Sequence, residues 1–296
     1  MLNLKDAYAR IERAKELHRE LGGAWHQWNE ADGIQLICER DPEHARYVWG
    51  VVMHSEPERN LALIAGEIFN NLRTALDYIA FQIFVAGGGD RTTKQAKSVA
   101  FPIVTEEERW GNAVKANVPY AWDEAVLKLQ WCQPFVQIGP QSTALPALRG
   151  VGATDKHHNL VLYAAPVTMV EAIAPDLSDG LSMIAMMVVP GPTLAVNEPG
   201  IVAEVCVHEG NSDSVGGRVL VPWSSGIELK QPGSPRVQFG FRASDGSEVT
   251  IDAIDGLIFY VEEMVKRFST ITTPVLSPSR EDRKHHSPDS LRGIAR

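Results

Sequence analysis

Pro57-Glu58-Arg59-Asn60-Leu61-Ala62-Leu63-Ile64-Ala65-Gly66-Glu67-Ile68-Phe69-Asn70-Asn71-Leu72-Arg73-Thr74-Ala75-Leu76-Asp77-Tyr78-Ile79-Ala80-Phe81-Gln82-Ile83-Phe84-Val85 is the stretch on which the fold turns. Leu61, Ile64, Ile68, Leu72, Ala75, Ile79 and Ile83 recur at steps of three and four, the spacing of one helical face. Phe69, Leu76, Phe81 and Phe84 add a second apolar region, so the spacing predicts a central helix packed by neighbours all round. Pro57 suits its first turn, and Gly87-Gly88-Gly89 ends it. Into this apolar helix the chain sets Asn70, Arg73 and Asp77, which lie within roughly 60° of one another at 3.6 residues per turn. Arg73 and Asp77 stand one turn apart and can touch. Charges in such a place must be paired, because an unpaired one costs several kcal/mol.

A second polar block, Thr154-Asp155-Lys156-His157-His158-Asn159, stands directly before Leu160-Val161-Leu162. From Gln141 to Ala165 the pattern reads as helical with a break at Gly150-Val151-Gly152. A helix resuming at Ala153 places Asp155, Asn159 and Leu162 on one stripe, with His158 beside it; Thr154 as a helix cap is the alternative. The economical expectation is that the two blocks meet, with Arg73 or Asp77 in reach of Asp155, Lys156, His157 or His158.

Around these blocks the chain reads as α+β. A charged helix runs from about Leu4 to Leu21, followed by a β-hairpin made from Gly33–Cys38 and Arg46–Met53. Phe101-Pro102-Ile103 is extended, Glu106, Glu107 and Glu108 suit a helix start, and a short helix spans Trp122–Trp131. Strand-like runs at Val167–Ile173, Ser182–Val189, Ile201–His208, Arg218–Pro222 and Val237–Phe241 are separated by turn residues, which predicts an antiparallel unit of about five strands. Helical spacing returns from Thr250 to Phe268. The expected division is a helical bundle with the N-terminal hairpin over 1–165 and a β-rich elaboration over 166–249. A helix returning to the bundle follows over 250–272, with a disordered tail over 273–296.

Composition restricts the function classes. With 296 residues, 44% hydrophobic, 22% charged and a net charge of −9, the chain does not coat nucleic acid through its overall field. Cys38, Cys132 and Cys206 are odd in number and lack a CxxC pair, so they read as core residues outside any disulfide framework or zinc-thiolate site. The first helix is too charged for a signal peptide, and no apolar run reaches the roughly 20 residues of a membrane span. A cytoplasmic protein without membrane contact is the expectation.

Gly66-Glu67-Ile68-Phe69-Asn70-Asn71-Leu72-Arg73-Thr74-Ala75-Leu76-Asp77-Tyr78-Ile79-Ala80 resembles the signature G-[DE]-x-x-H-N-L-R-S-A-L-D-H-L-A of an uncharacterised bacterial protein family. The same family carries F-P-I, matched by Phe101-Pro102-Ile103, and L-Q-P-[YF], matched by Cys132-Gln133-Pro134-Phe135. Its N-I-D-K-H-R is matched at Asp155-Lys156-His157. The resemblance covers roughly residues 45 to 165. The chain departs from it at Asn70, Ala153, Thr154 and His158, and the family brings no function with it.

A looser resemblance is to HEPN-type helical bundles, many of them RNA-cleaving toxins or defence proteins with an R-x(4–6)-H site. Here Arg149 and His157 are too far apart in sequence for that motif, so Arg73 would supply the cation from another helix. The resemblance implies a metal-independent ribonuclease with His157 as general acid/base and Arg73 or Lys156 stabilising the phosphorane charge, Asp77 and Asp155 completing the cluster.

The competing reading makes Arg73–Asp77 an ion pair that fixes helix register, and Asp155–Lys156 a local salt bridge or cap. Neither reading calls for a cofactor or a metal: adjacent histidines on a helix project about 100° apart and rarely share an ion. Nucleophile-elbow, P-loop and dinucleotide signatures are absent. Base rates favour a non-catalytic binding or scaffold protein over the nuclease. RNA is the partner only in the nuclease reading, and a homodimer is compatible with both.

Overall fold

The computed structural model describes residues 1–31, 33–41, 46–55, 60–154, 161–166, 181–188, 197–209, 237–242 and 248–274. It is an α+β protein whose long helices supply most of the core. The chain divides into two units, one drawing on residues 1–17, 67–153 and 255 onward, the other on 18–66 and 154–254.

The first unit is helical. α1 (Lys5–Glu30) buries Ala7, Ile11, Ala14 and Leu17, a stripe at three- and four-residue steps. α2 (Asn60–Ala86) buries Ile68, Phe69, Leu72, Ala75, Leu76, Ile79, Ala80, Ile83 and Phe84. Glu67 and Asn70 are exposed, so the buried surface is a broad stripe on one side, narrower than the packing all round that the sequence suggests. Behind α2 come α3 (Trp110–Asn117), entered through a tight 3-10 turn at Glu107–Arg109, and α4 (Asp123–Trp131). α5 (Pro140–Thr154) follows, and the last helix, α6, covers Ile251–Ser269.

Specific contacts bind α6 to this unit. Lys15 of α1 lies 3.1 Å from Glu262, and Lys128 of α4 donates to the Arg267 carbonyl at 3.1 Å. The Phe101 and Phe268 rings meet edge-on, 6.5 Å apart. The Arg267 guanidinium lies 3.7 Å from the Trp131 ring centroid. α2 ends where Gly87 continues its ladder with a bond to the Ile83 carbonyl, next to the backbone of Tyr120, which sits in the left-handed region at φ 68°.

The second unit holds two antiparallel sheets. β1 (Ile34–Asp41) and β2 (Arg46–Met53) form the expected hairpin. β2 also pairs along its other side with β5 (Pro199–Glu209), and β5 with β4 (Leu181–Val188), in the order β1-β2-β5-β4. The hairpin therefore belongs to a sheet with strands some 150 residues further on. The physical reason is that a lone hairpin is marginal, while β2, rich in aromatic and β-branched residues, is composed as a strand flanked on both sides. In the second sheet β6 (Val237–Arg242) lies between β3 (Val161–Pro166) and β7 (Glu248–Thr250).

α1 runs nine residues beyond the end expected from sequence, continuing through Gly22-Gly23 because its last turns are anchored by aromatic rings. Trp25 packs on Trp28 and on Phe239, with centroids 5.3 and 4.9 Å away, and Trp28 Nε1 donates to Ser55 Oγ at 3.1 Å.

Two expectations around the second polar block are corrected. α5 continues unbroken through Gly150-Val151-Gly152 to Thr154, and the chain beyond residue 160 is a strand. Val161-Leu162-Tyr163-Ala164-Ala165-Pro166 pairs residue by residue with β6, from Val161 opposite Arg242 to Pro166 opposite Val237. β-Branched and aromatic residues closed by proline suit that pairing, and it overrides the weaker helical periodicity. The shared helical stripe of Asp155, Asn159 and Leu162 does not exist, because Leu162 belongs to β3. The runs at Val167–Ile173 and Arg218–Pro222, and the tail from residue 275, lie outside the described residues.

Candidate functional site

The polar residues of α2 converge on a short strap, Phe101-Pro102-Ile103-Val104, whose four residues are all buried. Proline fixes φ at position 102 and biases Phe101 toward an extended backbone. A buried extended segment needs partners for its N–H and C=O groups, and here side chains supply the recorded ones.

Asp77 Oδ1 accepts the Phe101 N–H at 2.8 Å, and Arg73 Nη2 donates to the Phe101 carbonyl at 2.9 Å. Arg73 Nη2 also lies 3.0 Å from Asp77 Oδ1, closing a ring of three polar contacts around one peptide residue. Both side chains are half-buried. The order base-then-acid, unfavourable for a simple surface pair, is explained by this third partner.

On the opposite edge of the strap, Gln133 does the equivalent work. Its Oε1 accepts the Val104 N–H at 2.9 Å, while its Nε2 donates to the Pro102 carbonyl at 3.1 Å and to the Leu129 carbonyl at 2.9 Å. Gln133 is completely buried. Arg149 of α5 completes the set, with Nη1 donating to the Ile103 carbonyl at 3.1 Å. In an extended chain the polar groups of successive residues face opposite edges. Phe101 and Ile103 therefore present one edge, met by Asp77, Arg73 and Arg149, and Pro102 and Val104 present the other, met by Gln133. Asn71 tightens the same helix: its Nδ2 donates to the Glu67 carbonyl at 2.8 Å, and its Oδ1 accepts from Arg10 Nη1 of α1 at 3.2 Å.

Three stretches that carry the sequence resemblance thus meet at one place: Arg73 and Asp77 of the α2 signature, Phe101-Pro102-Ile103, and Gln133 of the Gln-Pro-Phe stretch. Arg73 and Asp77 are read correctly as partners from their spacing. Gln133 and Arg149 carry no such signal, since a side chain that serves a backbone group has no complementary residue type to look for. Asp155, Lys156 and His157, and with them the expected contact between the two polar blocks, lie outside the described residues.

Behind the strap, Cys132 and Tyr260 form a low-polarity patch. Burial pushes the Cys132 thiol up to about 12, and burial followed by the nearby Cys132 pushes the Tyr260 hydroxyl up to about 12. Tyr260 Oη donates to the Cys132 carbonyl at 3.3 Å. A thiol so far from ionisation is no nucleophile at neutral pH.

Among the described residues no group of three His, Cys, Asp or Glu side chains could hold a metal ion, and no helix is long and apolar enough to cross a membrane. What the cluster can do chemically is hold a peptide backbone: the guanidinium, carboxylate and amide are arranged as donors and acceptors for main-chain atoms. Compared with protein-family models, curated proteins and solved structures, the chain matches none.

Proposed function

We propose that this chain is a cytoplasmic binding or scaffold protein in which the α2 polar cluster is architectural. The observation that carries the reading is the ring formed by Arg73, Asp77 and the backbone of Phe101, which commits both charged side chains to main-chain atoms. A guanidinium that stabilised a transferring phosphate would need its donors aimed at the substrate. Here Arg73 Nη2, the nitrogen turned to the strap, is spent on a carbonyl and a carboxylate, which leaves only its outward nitrogens for any ligand. The absence of a CxxC pair and the odd cysteine count support the compartment.

Two readouts test the proposal together. Arg73→Ala and Asp77→Ala each remove the ion pair and the side-chain partner of one buried Phe101 backbone group, so each is expected to cost about 2 kcal/mol in urea unfolding. Single-stranded RNA incubated with the wild type in the absence of metal is expected to stay intact. RNA cleavage that disappears in His157→Ala while its melting temperature holds would establish the nuclease reading instead.

A further inference from the structure

Arg149 is the member of the strap cluster whose chemistry is least used. Its side chain is exposed, it spends one N–H on the Ile103 carbonyl, and among the described residues no carboxylate lies within ion-pair reach of it. A guanidinium carries five N–H donors, so most of its donor set faces outward. Arg73 reaches the same edge of the strap two residues away, through the Phe101 carbonyl. Alternate carbonyls on one edge of an extended chain repeat at about 6.6 Å, so the two guanidinium groups are anchored on neighbouring carbonyls of the same edge. Asp77 offsets one of the two positive charges, so the described groups on this edge keep a net charge of one positive (two arginines, one aspartate) in a chain whose net charge is −9.

We infer that Arg149 and Arg73, anchored on one edge of the strap, form an oxyanion-binding site for a phosphate group that opens to solvent at Arg149. The strap sets the spacing: its two carbonyls fix the inner N–H of each guanidinium, which leaves the outer donors ordered before a ligand arrives and lowers the cost of binding it. Arg149 supplies the uncompensated charge and most of the affinity, while Arg73, already engaged by Asp77, supplies orientation. The inference rests on reading the chain as a binding protein and names the chemistry of its ligand. Either a small phosphorylated molecule or the backbone of a single-stranded nucleic acid would deliver that chemistry.

The test uses the full chain and inorganic phosphate, followed by calorimetric titration and by the rise in melting temperature with phosphate concentration. Saturable binding with a Kd of roughly 1 mM is expected, the range a single charged contact point reaches. Arg149→Gln is expected to weaken binding at least ten-fold, Arg149→Lys to retain part of it, and Arg109→Gln, an exposed arginine paired with Glu106, to leave it unchanged. Competition by an unstructured RNA oligonucleotide separates the sources. RNA that displaces phosphate from the wild type assigns the site to a nucleic-acid backbone, and phosphate that stays bound assigns it to a small ligand. No saturable binding, equal affinity in Arg149→Gln, or an equal loss in Arg109→Gln would overturn the site. Should phosphate fail to bind while Arg73→Ala still melts early, the oxyanion site falls and the architectural reading of the cluster stands.

Discussion

At the scale of single residues, Cys132 and Tyr260 give the fold a vulnerability to alkali. Both are held protonated well above their ordinary values of 9.0 and 10.0, chiefly by burial. As pH rises past about 9, the unfolded chain releases the Cys132 proton while the folded chain keeps it, so the unfolded state gains. The contribution is complete below the unfolded value and is lost as pH climbs toward the folded value near 12. Each such proton is worth at most about 1.4 kcal/mol per pH unit, or about 2 °C in melting temperature for a chain of this size. The melting temperature is expected to decline above pH 9. In Cys132→Ala the onset is expected to move toward pH 10, where Tyr260 takes over; coincident curves for wild type and variant would show that the thiol is solvated.

The same scale shows what a sequence can and cannot announce. Arg73 and Asp77 are legible as a pair because opposite charges one helical turn apart in an apolar face have few alternatives. Gln133 stands out only through its Gln-Pro-Phe context and names no partner, although it makes three buried hydrogen bonds, because an uncharged amide before a proline resembles many surface positions.

At the scale of elements, helix α2 is the part most securely read from its spacing, and its C-terminal end is the most sterically constrained. A Cβ on Gly87 would stand 1.9 Å from the Tyr120 carbonyl oxygen, a backbone atom that cannot swing aside. Tyr120 is itself held at positive φ, with its ring 5.7 Å from that of Phe84. Gly87→Ala must therefore push the 118–121 turn off the end of α2, and it is expected to cost about 3 kcal/mol in chemical denaturation, at the high end for a single substitution. A loss below about 1 kcal/mol would mean that the turn yields freely. Strand β3 illustrates the opposite case. Leu160-Val161-Leu162-Tyr163 satisfies a helical stripe and an extended run alike, and the decision comes from β6, more than 70 residues away.

At the scale of the whole molecule, long-range pairing decides what belongs with what. The hairpin of β1 and β2 is legible locally, but its union with β5 is not, since no local pattern specifies which distant strand completes a sheet. The α+β class follows from the elements themselves, whereas the grouping of strands into two sheets depends on registers that emerge only in three dimensions.

The strap at residues 101–104 also has a consequence in time. Its partners stand 24, 28, 31 and 46 residues away, on α2, just past α4 and on α5, so the full clamp closes only when all three have come together. Docking of the strap is consequently a late event, on the native side of the rate-limiting barrier. Weakening the clamp by about 2 kcal/mol through Gln133→Ala is expected to speed unfolding about thirty-fold in stopped-flow denaturant jumps and to leave the refolding rate nearly unchanged. A refolding arm that slows in proportion would place the strap in the folding nucleus. With the clamp acting after the barrier, it governs how long each folded molecule lasts, and the ring around Phe101 works as a latch on lifetime more than as a guide to the fold.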